Sequence, residues 1–305
     1  MYYYIVNIAS STKRIFQVRF VVSGMGAKLA FTYTLDQAQR LIDDFENAIY
    51  DIQTTSLKVI LTTLHLKSTR AIEFVKAGIC RRLKVIEHSA TQIFDIFPPN
   101  KLDRLTADEC TNVTIFFQAF AINVYGVFDN AAWVAVLEAG AKVKKERIGP
   151  YKDEARKHFP QPFLHYLDTP SVRVWFKEYG KPYRDSTAHT LPPYLPPAVV
   201  NEDDGKVLEE LCEQQNQLFQ SPSNPDLQET LQRLEENADL HQKMGNVGRN
   251  SILIANSSSP DDENPPIILH QQIINDLLLM KELMDAFCAS FKPSATSEFE
   301  TLILS

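Results

Sequence analysis

The sequence predicts a mostly α chain, a helical bundle with minor β-hairpin elements near the N-terminus and around residue 252. Three observations carry this. From residue 35 onward, apolar residues recur at three- and four-residue spacing over long windows. Two such windows open on capping boxes, Thr34 with Gln37 and Thr106 with Glu109. Glycine and proline pairs fall between the windows, where they end helices.

In chain order, Ile15, Val18, Phe20 and Val22, then Leu29, Phe31 and Tyr33, alternate loosely around Ser23-Gly24-Met25-Gly26, which predicts a hairpin or extended arm. Thr34 then opens a helix with Leu35, Ala38, Leu41, Ile42, Phe45, Ile49 and Ile52 on one stripe. A second helix is expected from Thr69 to Phe97, stopped by Pro98-Pro99. Thr106 opens the longest one, expected to run to about Arg147 and end at Gly149-Pro150. Ser171 is the expected cap of a helix through Tyr179, interrupted by Gly180 and Pro182. Beyond Pro196-Pro197 an acidic segment, 203–243, reads as helical, with Pro225 in a first turn after Asn224. Ser251 to Ala255 reads as β-like, and a last helix spans Ile268 to Phe291. The expected organisation is a β-like arm over 1–34, a helical bundle over 35–200, and an acidic, mainly helical extension over 201–305 packed on the bundle.

Composition sets the class. At 305 residues with 44% hydrophobic and 23% charged residues, the chain can bury a sizeable core without disulfides or metals. The longest apolar runs, Leu277 to Met280 and Ile252 to Ala255, fall far short of the ~20 residues of a membrane span. The opening residues lack the basic flank and apolar core of a signal peptide, so a cytoplasmic location without membrane partners is the expectation. Cys80, Cys110, Cys212 and Cys288 show no metal-binding spacing and read as buried structural thiols.

The net charge of −7 is unevenly spread: residues 142–184 carry +6 and residues 202–305 carry −13. The basic block reads either as a polyanion footprint or as a solvated helix face; the acidic half opposes a phosphate backbone.

Familiar chemistries are absent as motifs. There is no paired Glu-x-x-His, no His-Glu-x-x-His, no phosphate loop, no dinucleotide turn and no nucleophile elbow. No metal and no cofactor is therefore expected. His65, His88, His158, His165, His241 and His270 have no partner at useful spacing and read as structural, and Trp133 and Trp175 read as core.

One stretch is chemically dense: Tyr183-Arg184-Asp185-Ser186-Thr187-Ala188-His189-Thr190, after Lys177 and Lys181. A guanidinium suits phosphate, and an imidazole exchanges protons near neutrality. Together they suffice for metal-free RNA cleavage, with His189 as acid or base, Arg184 stabilising charge on phosphorus and Asp185 orienting either. On a straight helix the pair would stand about 140° apart, so convergence requires the motif to straddle a helix end. The plainer alternative pairs Arg184 with Asp185 or Asp129 and gives His189 a cap or a carbonyl. Asp129-Asn130 reads first as packing and secondarily as cleft lining.

Arg184-x4-His189, with a polar residue after the arginine and late in a helical bundle, resembles the HEPN superfamily. The upstream Tyr125-Gly126-Val127-Phe128-Asp129-Asn130-Ala131-Ala132-Trp133 is similar to the preceding bundle helix of its large bacterial members. The resemblance spans roughly residues 105–195. It implies a homodimer whose motifs share a cleft and cleave RNA without metal, as a toxin held by an antitoxin or as a phage-defence effector. Lys144, Lys145, Lys177 and Lys181 are the expected substrate-binding cations. The alternative is a catalytically inactive helical interaction or nucleotide-binding protein whose acidic half recruits a basic partner.

Overall fold

Thr34 Oγ1 accepts the Gln37 amide at 3.2 Å and Gln37 Oε1 accepts the Thr34 amide at 2.9 Å, so α1 (Leu35–Thr62) begins where the spacing predicts. The structure is a computed structural model describing residues 2–9, 14–21, 33–196, 198–200, 202–219, 227–256 and 266–292. Before α1, an antiparallel hairpin pairs β1 (Tyr2–Ala9) with β2 (Arg14–Val21). Residues 10–13 join the two strands, and the turn predicted at Ser23–Gly26 lies outside the described residues.

The second helix is α2 (Thr69–Glu73), a π-helical segment Phe74–Ile79 and α3 (Cys80–Ile96) in one continuous run. Its outer bounds follow the prediction; the π turn does not show in the apolar pattern. The second capping box opens α4 (Ala107–Glu138), again reciprocally bonded. This helix stops nine residues before the predicted Arg147. Gly140, at φ +63°, takes the left-handed position, and the Gly140 and Ala141 amides return to Leu137 O and Val136 O. That is a Schellman closure, and it needs a residue without a Cβ.

Short helices α5 (Asp153–Arg156), α6 (Gln161–Leu167) and α7 (Pro170–Trp175) follow. From α7 a second π-helical segment, Phe176–Gly180, leads directly into α8 (Lys181–His189). The predicted interruption at Gly180 and Pro182 is thus corrected. The proline occupies the first turn after the π segment, where its missing N–H costs least. Helices α9 (Glu202–Phe219) and α10 (Leu227–Gly245) pack on each other, and Pro225 lies outside the described residues. Strands β3 (Leu253–Ile254) and β4 (Ile267–Ile268) form the small sheet expected near residue 252, and α11 (Leu269–Ala289) closes the fold.

The core is built by α3 against α4, α1 against α11, and α8 and α6 at the flanks. Fourteen residues of α11 are buried, so this helix, read from sequence within the acidic extension, belongs to the bundle interior. Phe45 stacks on Phe94 at 3.7 Å and Phe128 on Trp175 at 5.3 Å, joining α1 to α3 and α4 to α7. Among the described residues α4 is the one helix long and apolar enough to cross a membrane, at mean hydropathy 1.4, and 61% of that window is buried inside the bundle. Scattered Asn, Gln and Gly hide this length from a search for unbroken apolar runs. Of the four thiols, Cys110 and Cys288 are buried as expected, Cys80 is half-buried and Cys212 is exposed; all are unbridged.

Four polar side chains of α11 are buried, and two of them, His270 and Asp276, are titratable. His270 sits with Nε2 2.6 Å from Phe97 O and Nδ1 3.2 Å from the Tyr33 hydroxyl. Burial pushes its pKa down to about 4, so the neutral ring donates through Nε2 and accepts at Nδ1. Asp276 accepts from Trp175 Nε1 at 2.7 Å, Tyr179 Oη at 2.9 Å and Gln272 Nε2 at 2.8 Å. Its burial is complete and lifts the carboxyl to about 7 against these three donors.

Candidate functional site

Helix α8 is held by its inner face. Tyr183 and Ser186 are buried, with the Tyr183 ring edge-on to Phe117 of α4 at 6.2 Å. Just upstream, a Cβ on Gly180 would stand 2.5 Å from Trp175 Cζ3, so only glycine lets the helix pass this ring. That packing sets Arg184 at the margin of the bundle, with its guanidinium carbon 5.4 Å above the Tyr125 ring. Arg184 Nη1 donates to Asp185 Oδ1 at 2.8 Å, and Lys181 Nζ donates to Oδ2 at 2.7 Å. Partial burial opposes the Asp185 charge, but these bonds prevail and hold its carboxyl below the usual range.

Across the margin stands Asp129, the only charged side chain of α4 from Cys110 to Leu137. It is half-buried, faces Arg184, Arg82 and Lys152 electrostatically, and has no hydrogen-bond donor among the described residues. Burial lifts its carboxyl to about 6; the three cations pull the other way without restoring the ordinary value. A carboxyl with this value changes charge close to neutrality, the requirement for a general base or acid.

Arg82 enters from α3. Its Nη1 donates to Asn123 Oδ1 at 2.9 Å and its Nε to Asn130 Oδ1 at 3.3 Å, both on α4. Two glycines make room: a Cβ on Gly126 would lie 2.4 Å from the Arg82 guanidinium, and one on Gly78 would lie 1.9 Å from Asn130 Nδ2. These two bonds leave further guanidinium donors for a ligand. Each π-helical segment abuts this cluster, Phe74–Ile79 through Gly78 and Phe176–Gly180 through α8. Such turns often accompany functional positions in helices.

Arg184, Asp185 and Lys181 thus meet as two ion pairs, the Arg184–Asp185 pair being the plainer of the two sequence readings, whereas His189 stands apart from them. Arg184 and His189 lie on one unbroken helix, so their side chains stand about 140° apart, and His189 is exposed. Lys177 is exposed on the π segment, and Lys144 and Lys145 are exposed beside the short turn Lys145–Arg147; none touches Arg184 or Asp129. Arg82 and Lys152 were not singled out from sequence. The available signals were the isolated charge of Asp129 in an apolar helix and two helix-interior glycines. Among the described residues no three His, Cys, Asp or Glu side chains cluster in a way that could hold a metal ion.

Comparison with protein-family models, curated proteins and solved structures finds no match to this chain.

Proposed function

We propose that the cluster of Arg82, Asp129 and Arg184, where side chains of α3, α4 and α8 face one another, binds a phosphodiester and that the chain is a metal-independent, HEPN-like endoribonuclease. The observation that carries the reading is Asp129: a half-buried carboxyl near pKa 6, without a donor among the described residues, facing two guanidinium groups and an ammonium. Arg184 and Arg82 hold the phosphate oxygens and stabilise charge that develops on them. The Asp129 carboxylate takes the 2′-hydroxyl proton while the 2′-oxygen attacks phosphorus. The bond from phosphorus to the 5′-oxygen then breaks, and the leaving oxygen takes its proton from the His189 imidazolium of a second copy. The products are a 2′,3′-cyclic phosphate and a 5′-hydroxyl, and no oxidant or metal enters the balance.

A homodimer follows from this reading, because His189 of the same chain points elsewhere. Toxin or phage-defence roles, with an antitoxin or regulatory partner, come from the resemblance alone. The 140° divergence favours a second reading, a catalytically silent cleft that binds an anionic partner.

The deciding experiment incubates purified protein with single-stranded and structured RNAs, with and without EDTA, beside Arg184→Ala, Asp129→Asn and His189→Ala. Cleavage in EDTA that falls ~100-fold or more in each variant supports the enzyme. RNA binding that Arg184→Ala weakens, without any cleavage, selects the silent cleft. Cleavage equal in all four proteins removes both.

A further inference from the structure

A second cationic feature lies at the far end of α4. A groove of about 810 Å³ opens there, where the turn after α1, the turn after α5 and the residues after α11 meet. Its volume suits a ligand of drug or nucleotide size. The groove is walled by Lys67, Lys157 and Lys292, one from each of these three segments, with His65 and His158 beside them. None of the three ammonium groups has an ion-pair partner among the described residues, unlike Lys58, Lys101 and Lys281.

The one carboxylate in the lining, Glu138, is already engaged. It accepts the Lys67 amide at 3.1 and 3.0 Å and the Ser68 amide at 2.7 Å, fixing the chain at the head of α2. Its charge is therefore engaged by the backbone, and three lysines line the groove with this one carboxylate. Phe291, half-buried and 5.1 Å from Phe287, adds an aromatic face at the rim. Phosphate charge opposite clustered lysines and a planar ring on an aromatic side chain are the two halves of nucleotide recognition.

The groove is distinct from the Asp129 cleft. Glu138 lies nine residues beyond Asp129 on α4, about 14 Å along the axis and on the opposite face. One small ligand does not reach both.

We propose that this groove binds a nucleotide, with its phosphates on Lys67, Lys157 and Lys292 and its base against Phe291. The nucleotide unit arrives either free or as part of an RNA strand. The proposal does not depend on ribonuclease activity.

The test is calorimetric titration of the full-length chain with ADP, with pyrophosphate and with a short oligoribonucleotide, plus ADP–oligoribonucleotide competition. The proteins are wild type, Lys157→Glu/Lys292→Glu, the milder Lys157→Gln/Lys292→Gln, and Arg184→Ala. ADP is expected to bind more tightly than pyrophosphate. Charge reversal should weaken it at least tenfold and neutralisation less, while Arg184→Ala leaves it unchanged. Competition by the oligoribonucleotide identifies a strand as the source, and its absence identifies free nucleotide. No binding of ADP or oligoribonucleotide, binding indifferent to both lysine pairs, or pyrophosphate binding as tight as ADP overturns the proposal. The neutral pair keeps the test decisive if the reversed pair fails to fold. Because Arg184→Ala is read in the same titrations, failure of the groove and failure of the Arg184 cleft are told apart.

Discussion

The Trp175 indole donates a 2.7 Å hydrogen bond to Asp276 Oδ1, tying the helical run that ends in Arg184 and His189 to the buried helix α11. Tyr179, on the π segment of the same run, bonds the other carboxylate oxygen at 2.9 Å. One buried acid thus fixes two successive turns of the run that carries the candidate site.

That acid makes stability depend on pH. Burial raises Asp276 to about 7 in the fold, against an ordinary carboxylate value in the unfolded chain. Between those values the native state binds the extra proton, so the contribution is present at low pH and is lost as pH rises through about 7. In thermal melts across pH 4.5–8.5, wild type should lose stability relative to the non-titrating Asp276→Asn as pH rises, by about 1 to 4 kcal/mol on the scale of the shift. Parallel curves would show that Asp276 does not titrate in this range.

Gly180→Ala should destabilise. The added methyl would meet the Trp175 ring at 2.5 Å, and that ring is held by Asp276 and stacked on Phe128. Overpacking a rigid ring costs roughly 1–3 kcal/mol, readable as a lower midpoint in urea at unchanged slope. An unchanged midpoint would mean that the helical run shifts freely at this turn.

If Asp129 is the base, kcat/KM for RNA rises with pH and levels off above about 6, because only the deprotonated carboxyl accepts a proton. In Asp129→Asn this limb should disappear along with most of the activity. A limb that survives the substitution assigns the proton transfer to another group.

Complementation tests the composite cleft. Arg184→Ala and His189→Ala chains, inactive alone, should regain partial activity once mixed and allowed to exchange, since one cleft of each mixed dimer is intact. Light scattering should report about twice the 34.7 kDa chain mass. Activity from a strict monomer would place the whole site within one chain.

Local chemistry made the helix starts legible. A capping box needs two residues three apart, and both Thr34–Gln37 and Thr106–Glu109 form one. Ends were harder, because Gly140 closes α4 through a backbone conformation that the apolar pattern of residues 141–148 conceals. The join at Gly180–Pro182 was read as a break because proline rules assume an α-helical ladder, and a π turn changes which carbonyl the next amide reaches. Arg184, Asp185 and Lys181 stood out as one chemically dense stretch, but their place on a single helix did not, because Gly180 and Pro182 read as a break. Arg82 did not stand out, since Asn123 and Asn130 lie 41 and 48 residues away in sequence and meet it only through packing.

The π turn at Phe176–Gly180 also decides how the site responds to a change in chain length. Such a turn holds one residue more than the α-helical path. Because the wide turn absorbs that residue, the run before it and the run after it keep the phase of one regular helix. Deleting a single position within the turn should therefore restore α-helical winding and leave Arg184 over Tyr125 and Tyr183 against α4. Adding a residue to the α-helical turns that follow would instead swing what lies beyond it by about 100°, so the spare residue at Phe176–Gly180 is slack that lets the chain shorten without losing the site.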